Sequence, residues 1–572
     1  MPAVERAFRS YLRSALCSSL AALSLYLAFP PATLWPCAFL APILLLVAVR
    51  AAPSWKSCAL IVTVTHMPVF AAMQWWIIDV SALGLPAFIV YLSVCWGLLS
   101  LLLRALDACL ATRTLHASWV LPLGYLSSEF LRGDLVCGGY PWFFAGHPLV
   151  QSAFLSQCAD LLGAATLSAL VCVISGSTLD AIVALRRADR RGAMLALSVT
   201  VLAWLSALLY GAARLQQYPP TTPSNASSIL IVQTSVPTSN KLAWSPQAQV
   251  DDTQRGMLLT LEGVRNARAE GEEPILAVWP ETMLPGFGLE LDGINAMTDA
   301  GAWPGSRFAD AAKDLVQATG VPLLVGSAAY EGLHIEGEGT ERHYAWNHQY
   351  NSVYLVQDAM PYPRYDKIFL TPFGETMPVI SAWPWLESNL LALGAEGMTF
   401  DLDAGGKYTR FTVASKHSEP LRIATPICFE DSVGWVCRRM VFGDRDWQPW
   451  SATREADLLI APSNDGWFGS SASSRAQHFD FARLRAIEFR TPVLRSVNTG
   501  FSAWIDEAGR IRAVIGASPR GEMNLEGSLL ARVQPLHGVP LSARTADLLS
   551  WGSVLCCVVI FFRSSRTSRP DQ

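Results

Sequence analysis

Apolar runs fill the first third of the chain and recur once at its C-terminus. About 20 apolar residues in a helix cross a bilayer, and each of these runs is close to that length, so they predict eight transmembrane helices. The first run follows three arginines, as in a signal peptide, but no clean small-residue cleavage site follows it, and we interpret it as an uncleaved helix. The predicted spans are Leu12–Phe29, Leu34–Val49, Ser57–Ile77, Leu83–Leu103, Ala117–Leu131, Phe154–Ile174, Ala193–Tyr210 and Ala546–Phe562.

A different pattern occupies the middle of the chain, where short β-rich runs alternate with amphipathic segments. Such alternation is typical of a layered α/β domain. We therefore expect residues 1–213 to form a transmembrane bundle of seven spans, 214–545 a soluble domain, and 546–572 the last span and a tail. The predicted strands are Ile229–Gln233, Ile275–Trp279, Val321–Gly326, Ser352–Val356, a run from Leu421 to Asp431, Asp457–Ala461, Val493–Val497 and Phe501–Ile505, and the predicted helices are Pro246–Arg268, Arg307–Thr319 and Ala476–Arg490.

Basic residues between the spans predict the orientation of the chain. Arginine and lysine concentrate in alternate loops, at residues 50–56, 104–113 and 186–191, and again after the last span. Basic loops stay on the cytoplasmic side of a membrane. Both termini are therefore expected in the cytoplasm, with residues 214–545 on the outer face.

Composition narrows the classes of function. Half of the residues are hydrophobic and 16% are charged, against roughly 25% in soluble proteins. The net charge of -4 argues against a nucleic-acid partner. No cysteine pair has metal-ligand spacing, so no metal site is predicted. The predicted soluble domain holds only Cys428 and Cys437, which could form a disulfide, although the surroundings of Cys428 fit a reactive thiol better.

Three predicted strand ends carry side chains suited to nucleophilic catalysis. Glu281 follows one strand, Lys367 and Glu375 lie in a second segment, and Cys428 ends a third strand. A carboxylate can take a thiol proton, and an ammonium can stabilise a thiolate or an oxyanion. Together they are expected to bring the thiol pKa, ordinarily about 8.5, toward neutrality. Taken singly, each residue also has an ordinary structural interpretation: the glutamate as a helix cap, the lysine as a solvated side chain and the cysteine as a buried apolar residue.

Charged residues also occur within the predicted spans. Glu129, Arg132 and Asp160 are the cases, and a glycine- and aromatic-rich segment at residues 138–143 follows the first two. Charge inside a membrane is costly and is a functional hypothesis by default. The alternatives are direct contact with a substrate and simple packing of the bundle.

In this order and context, the glutamate, lysine and cysteine segments resemble those of the carbon–nitrogen hydrolase, or nitrilase, superfamily. That resemblance implies a four-layer α-β-β-α sandwich for the soluble domain. Eight membrane spans around such a domain narrow the resemblance to the N-acyltransferase family that modifies apolipoproteins, and it covers nearly the whole chain. The segments that carry it are Trp279-Pro280-Glu281, Tyr365-Asp366-Lys367, Pro372-Phe373-Gly374-Glu375, Pro426-Ile427-Cys428-Phe429-Glu430, Asn464-Asp465-Gly466-Trp467-Phe468-Gly469, Gln477-His478, Tyr140-Pro141-Trp142, Gln157, Asp160 and Trp244.

The resemblance implies a reaction and its participants. An acyl chain would pass from a phospholipid, through a cysteine thioester, to the α-amine of an apolipoprotein's lipid-modified N-terminal cysteine. The enzyme would work in the bacterial inner membrane with its catalytic domain in the periplasm, as a monomer without a metal or organic cofactor. By the same resemblance, Glu281 is the general base, Cys428 the nucleophile and Lys367 the oxyanion stabiliser.

Four further residues take supporting roles by the resemblance. Glu375 would hold Lys367 or orient the incoming amine, and Glu430 and Trp244 match other positions that the family needs. Phe429 is a departure, because well-known members carry tyrosine there, which puts any role of a phenol hydroxyl in doubt.

Two other functions fit the same predicted architecture. A membrane-tethered amidase or nitrilase would use water in place of the amine, although a small-molecule hydrolase gains little from eight spans. A catalytically inactive domain could serve as a membrane scaffold, but it would have no reason to keep all three reactive side chains. The unusually apolar stretch from Pro378 to Leu393 is interpreted either as a lid dipping into the membrane interface or as part of the domain's core.

Overall fold

The chain divides into two compact units, which comprise Met1–Tyr218 with Ser470–Gln477 and Thr545–Gln572, and Pro219–Gly469 with His478–Arg544. The computed structural model describes residues 2–567 except 83, 114, 221–225, 238–243, 338–342, 377–401, 416–418, 444–448 and 546.

The described residues of the first unit are mainly helical. Among the described residues, five helices are long and apolar enough to cross a membrane: Glu5–Ala28, Trp55–Met73, Gly84–Cys109, Ala165–Arg186 and Arg190–Gln217. Shorter apolar helices lie at Trp35–Ala51 and Leu548–Ser564. The number of predicted spans therefore exceeds the number of helices that are long enough. The α-helices of this unit, α1 to α8, are Pro2–Ala28, Leu40–Ala51, Trp55–Met73, Gly84–Cys109, His116–Phe130, Ala159–Leu162, Ala165–Arg186 and Arg190–Gln217, and Leu548–Thr567 is the C-terminal helix.

The predicted span Phe154–Ile174 is wrong in its bounds. The 3-10 turn Leu155–Cys158 and the single-turn helix α6 occupy its first half, and the long helix α7 begins only at Ala165. Gly163 lies between them at a φ of 78°, a left-handed conformation that ends a right-handed helix. The apolar run hid this break, because glycine does not interrupt a hydrophobic pattern.

Asp160 in this unit has a cationic partner. The guanidinium of Arg214 donates to its carboxylate from Nε at 2.6 Å, and the hydroxyl of Tyr210 donates at 2.6 Å. Burying a carboxylate is costly unless such donors pair with it. The pair links α6 to α8, which fits the packing interpretation of this residue.

Glu129 and Arg132 hold the segment that follows them. Glu129 accepts a hydrogen bond from the backbone N–H of Ala145 at 2.6 Å, and Arg132 donates to the carbonyls of Tyr140 and Trp142, each at 2.8 Å. These bonds provide partners for backbone N–H and carbonyl groups that are not paired within a helix. The two charges thus shape the aromatic segment.

The second unit is built on two six-stranded sheets. Their strand orders are β14-β1-β2-β3-β6-β7 and β13-β12-β11-β10-β9-β8, and β4 and β5 form a separate hairpin. The strands are β1 Ser227–Gln233, β2 Pro274–Val278, β3 Leu323–Glu331, β4 His334–Glu336, β5 His343–Ala345, β6 His348–Val356, β7 Arg364–Asp366, β8 Phe411–Val413, β9 Leu421–Ala424, β10 Leu458–Ser463, β11 Val493–Val497, β12 Ala503–Ile505, β13 Ile511–Val514 and β14 Gly527–Val533. The helices, α9 to α14, are Pro246–Ala269, Leu291–Asp299, Arg307–Thr319, Gly434–Phe442, Ala472–Phe489 and Leu541–Thr545.

Neighbouring residues of β11 show how the second sheet is layered. Successive side chains of a strand point to opposite faces. Ser496 donates to the carbonyls of Val232 and Val278 in the first sheet, at 2.9 and 3.3 Å, whereas Arg495 reaches His478 on α13 at 3.4 Å. The second sheet therefore lies between the first sheet and α13.

The first sheet is covered on its other face by helix α9. The indole of Trp279, just after β2, donates to the hydroxyl of Thr260 on α9 at 2.8 Å. A Cβ on Gly263 of α9 would come within 2.8 Å of Leu230 in β1, so the helix and sheet approach closely there. The order is helix, sheet, sheet, helix, the four-layer arrangement expected from the resemblance.

Candidate active site

Cys428 lies in a strained turn after strand β9, which is next to the edge strand β8. The strand ends at Ala424, and Cys428 begins the 3-10 helix Cys428–Ser432 with a φ of 51°. A left-handed conformation is costly for a residue with a side chain, and such strain concentrates at functional sites. The sequence predicted the cysteine at the end of the strand; the structure places it in the loop beyond.

Glu281 lies beyond the end of β2, in the neighbouring sheet. Its carboxylate is buried and accepts hydrogen bonds from the backbone N–H of Asn464 and from Nδ2 of Asn351, both at 2.8 Å. Two donors hold the two oxygens in place. The carboxylate is therefore oriented before any ligand binds.

A glycine in β3 makes room for this carboxylate. A Cβ on Gly326 would lie 2.7 Å from Cα of Glu281 and 2.6 Å from the backbone nitrogen of Thr282. Both are backbone atoms, which cannot swing aside as a flexible side chain can. Strand β3 can pass behind Glu281 only without a side chain at this position.

Lys367 follows β7, with its side chain 1% exposed. Its ammonium pairs with Oε2 of Glu375 at 2.6 Å and donates to the hydroxyl of Thr371 at 3.3 Å. Burial opposes the charge of Lys367, but Glu375 and the neighbouring Cys428 and Glu281 raise its pKa above the ordinary value. The lysine therefore carries its charge inside the protein.

The thiol of Cys428 lies close enough to Glu281 and Lys367 for their charges to act on it. Burial raises the pKa of Cys428 well above its ordinary value, the charge of Glu281 raises it further, and the charge of Lys367 lowers it. The expectation that the surroundings bring this pKa toward neutrality is therefore wrong for the resting site. The thiol keeps its proton at rest, and a base is needed to remove it during a reaction.

Glu430 ties the cysteine turn to the lysine segment. Its buried carboxylate accepts hydrogen bonds from the backbone N–H groups of Ile427 at 2.8 Å and of Ile368 and Phe369, each at 2.9 Å. The hydroxyl of Tyr365 donates to it at 2.9 Å. Burial raises the pKa of Glu430 to about 7 in spite of these donors. The role visible here is to hold two loops together.

Asn351 is a member of the site that the sequence did not single out. It lies in β6, and its Nδ2 donates to Glu281 at 2.8 Å and to Glu375 at 2.9 Å. Its backbone carbonyl accepts a hydrogen bond from the N–H of Lys367 at 2.8 Å. An asparagine directly before the predicted strand Ser352–Val356 would have been the only signal.

A second set of buried charges lies beneath the cysteine turn. His478 contacts Asp465 at 2.9 Å and Asp431 at 3.0 Å, and it lies 3.3 Å from the carbonyl oxygen of Cys428. Arg495 pairs with Asp431 at 2.5 Å. Burial lowers the pKa of His478, but the two carboxylates outweigh it and raise this pKa to about 9.

We expect stability to fall at high pH because of His478. Its pKa is about 9 in the folded protein against 6.5 for an ordinary histidine, so its stabilisation is complete below pH 6.5 and is lost as the pH rises through 9. Thermal unfolding from pH 6 to pH 10 should show a falling Tm over that window. His478→Gln should weaken this pH dependence, and the exposed-site variant His537→Gln should keep it. An equal pH dependence in all three proteins would contradict the prediction.

Phe429 and Trp244 are the remaining predicted site residues. The ring of Phe429 stacks on Phe369 with centroids 6.0 Å apart, directly beside the cysteine turn. The indole of Trp244 donates to Asp252 at 2.8 Å, and its carbonyl accepts from Gln249 at 3.0 Å. These bonds belong to the start of helix α9 and involve none of the three reactive side chains.

Two other expectations can be compared with the structure. Cys428 and Cys437 are free cysteines, so the disulfide alternative is wrong. The apolar stretch proposed as a lid or core segment lies in residues 377–401, outside the described residues.

Family models match both parts of the chain. A model of the apolipoprotein N-acyltransferase N-terminal domain matches residues 21–177, and a model of carbon–nitrogen hydrolases matches residues 241–523. The second match covers strands β2 to β13, together with Glu281, Lys367 and Cys428. A nitrilase-type α/β domain is therefore shown by sequence as well as by topology.

Known relatives align over most of the chain. An apolipoprotein N-acyltransferase from Bradyrhizobium diazoefficiens is 30% identical over 502 residues, which cover 85% of this chain and 80% of that protein. One from Sinorhizobium medicae is 27% identical over 470 residues, covering 82% and 76%. Among solved structures, a Nesterenkonia amidase of the nitrilase superfamily aligns at 15% identity and a TM-score of 0.32, covering 56% of this chain and 96% of the amidase.

Proposed function

This chain belongs to the apolipoprotein N-acyltransferase family, and from that premise we propose that it N-acylates apolipoproteins through a thioester on Cys428. The acyl donor is a membrane phospholipid, and the acceptor is the α-amino group of a diacylglyceryl-modified N-terminal cysteine. One observation carries the proposal: the charges of Glu281 and Lys367 both act on the partly buried thiol of Cys428. A thiol beside a base and a cation is suited to nucleophilic acyl transfer.

In the first half-reaction, the sulfur of Cys428 attacks an ester carbonyl of the phospholipid. Glu281 takes the thiol proton, and the ammonium of Lys367 stabilises the oxyanion. The C–O bond then breaks, Glu281 returns the proton to the leaving alcohol, and a thioester and a lysophospholipid remain. The raised pKa of Cys428 supports this order, because the proton leaves only when the base acts.

In the second half-reaction, the α-amine attacks the thioester carbonyl. Glu281 takes one amine proton and delivers it to the departing sulfur, so that the C–S bond breaks, an amide forms and the thiol is regenerated. Lys367 again stabilises the oxyanion. A single pocket serves both steps because donor and acceptor bind in turn.

Four neighbours support these three residues in the proposal. Glu375 keeps Lys367 charged through their ion pair at 2.6 Å. Glu430 fixes the cysteine turn against the lysine segment, and Phe429 lines the pocket beside the nucleophile. Trp244, at the start of α9, supports the site indirectly.

The proposal also includes the placement of the chain in a membrane. Residues 1–213 would supply seven spans, the five long helices together with the shorter α2 and α5, and 546–572 would supply the eighth. The chain would lie as a monomer in the bacterial inner membrane, with both termini cytoplasmic and residues 214–545 periplasmic. This arrangement brings the enzyme to two lipid-anchored substrates.

The orientation leads to a direct prediction. Alkaline phosphatase, which is active only outside the cytoplasm, should be active when fused after Gly521. Green fluorescent protein fused after Gln572 should fluoresce, because it folds in the cytoplasm. The opposite pair of signals would overturn the orientation.

Intact-mass spectrometry tests the reaction itself. The purified protein incubated with a phospholipid of defined acyl chain should gain that acyl mass, and neutral hydroxylamine should remove it. Addition of a synthetic diacylglyceryl-cysteine peptide should then produce a hydroxylamine-resistant N-acyl peptide. Free fatty acid without N-acyl peptide would instead favour a hydrolase.

A further inference from the structure

Asn351 contacts three charged residues of the proposed catalytic site, Glu281, Glu375 and Lys367. Its Nδ2 donates to Oε1 of Glu281 at 2.8 Å and to Oε1 of Glu375 at 2.9 Å, and its backbone carbonyl accepts from the N–H of Lys367 at 2.8 Å. Both side-chain N–H donors are therefore used. Glu375 in turn pairs with Lys367, so this amide links the carboxylate and the ammonium.

The side-chain carbonyl oxygen of Asn351 makes none of these contacts. Oδ1 of Asn351 is buried and has no hydrogen-bond partner among the residues that the structure describes. Its direction is fixed, since a flipped amide would set an oxygen against two carboxylates. Buried acceptors are nearly always paired, and an unpaired one on the amide that bonds Glu281 and Glu375 points to a donor supplied by a bound molecule.

The two substrates of the proposed reaction differ in what they can donate. The phospholipid ester presents only acceptor oxygens at its reacting carbon. An α-amine presents two N–H groups when neutral, and Glu281 can take only one of them. The second N–H needs an acceptor, because an unpaired donor in a buried site is costly.

We propose that Oδ1 of Asn351 accepts an N–H of the incoming α-amine and so positions a primary amine for attack on the thioester. The inference rests on the proposed N-acyltransferase function. The nitrogen lone pair attacks the thioester carbonyl carbon, and one amine proton passes through Glu281 to the sulfur as the C–S bond breaks. The other hydrogen stays on nitrogen, bonded to Asn351, and remains in the amide product.

This arrangement favours primary over secondary amines. A site built to bond a substrate N–H rejects an analogue that lacks it, because the site's own polar group is then left unpaired. An N-methyl-cysteine acceptor has a single N–H when neutral, and that one goes to Glu281. Wild-type acyl-enzyme should therefore transfer to the N-methyl peptide about 10- to 100-fold more slowly than to the primary-amine peptide.

The test uses full-length protein, preloaded with phospholipid and then mixed with either peptide. In Asn351→Ala, the ratio between the two peptides should fall to near one because transfer to the primary amine slows. Each transfer rate is corrected for the effect on thioester formation, which also measures how far Glu281 is disturbed. If the ratio falls because the N-methyl peptide speeds up, the wild-type discrimination is steric and the proposal is overturned.

A matched variant controls for loss of a buried amide in the same strand. Gln349, two residues earlier on the same face of β6, donates to the hydroxyl of Tyr330 at 2.8 Å. Gln349→Ala should keep the wild-type ratio. If Asn351→Ala is not recovered folded, Asn351→Ser serves in its place, and an unchanged ratio in the folded variant overturns the proposal.

Failure of the proposed function has a different result. In that case the wild-type protein forms no thioester or no N-acyl peptide with the primary amine. Failure of the present inference leaves both reactions intact and removes only the discrimination between the two amines.

Discussion

Cys428→Ala should abolish the acyl-enzyme and all N-acyl product while the protein still folds in the membrane. The thiol is the atom that forms the thioester, and alanine offers no nucleophile at that position. The left-handed φ of 51° is carried by the backbone, and alanine demands no more space there than cysteine. Intact-mass spectrometry with phospholipid, followed by the peptide assay, measures both losses.

Cys437 provides the matched control for this variant. It is the other cysteine in the α/β unit, it is buried, and its thiol lies 3.4 Å from the carbonyl of Glu430. Cys437→Ala should retain a hydroxylamine-labile adduct and turnover. Wild-type turnover in Cys428→Ala, or an adduct that maps to Cys437, would remove the nucleophile assignment.

Glu281→Gln should slow thioester formation by roughly 100- to 10,000-fold, the range for losing a general base. Glutamine keeps the size of glutamate but cannot take a proton from a thiol whose pKa is raised. It also leaves one donor unpaired, because Asn464 and Asn351 both donate to the carboxylate and an amide has one oxygen. Single-turnover acylation measures the effect.

Glu526→Gln is a suitable control, since Glu526 lies in a solvent-exposed ion pair with Arg255. Exposed pairs of this kind contribute little to stability, and acylation should proceed at the wild-type rate. Acylation by Glu281→Gln at that same rate would mean that another group serves as the base.

The sequence predicted the layered domain well where strands are apolar and central. The predicted strand Val493–Val497 and helix Arg307–Thr319 coincide with the observed elements. Strands β8, β13 and β14 were not predicted, because they are short or alternate with polar residues at the sheet edges. Edge strands form by pairing with segments that are distant in sequence. The local pattern of apolar and polar residues carries no information about such pairing.

The sequence predicted the three segments of the site but not their arrangement in space. Glu281, Lys367 and Cys428 come together because β2, β7 and β9 lie in two facing sheets, and strand order follows from tertiary packing. The pKa of the Cys428 thiol was predicted wrongly for the same reason. Its pKa is raised by burial, and burial follows from tertiary packing that the sequence does not show. Asn351 was missed because its importance lies in the direction of its side chain.

The space behind Glu281 has a consequence for reading mutational scans. Every single-base change of a glycine codon that alters the residue adds a side chain or a stop, and any side chain at Gly326 would meet the backbone of Glu281 and Thr282. In a saturation library screened for growth, position 326 should therefore score like a reactive residue although it presents no functional group. Intolerance at this position would reflect a steric requirement of the site. Inhibitor or cross-linking designs should therefore not treat Gly326 as a reactive group.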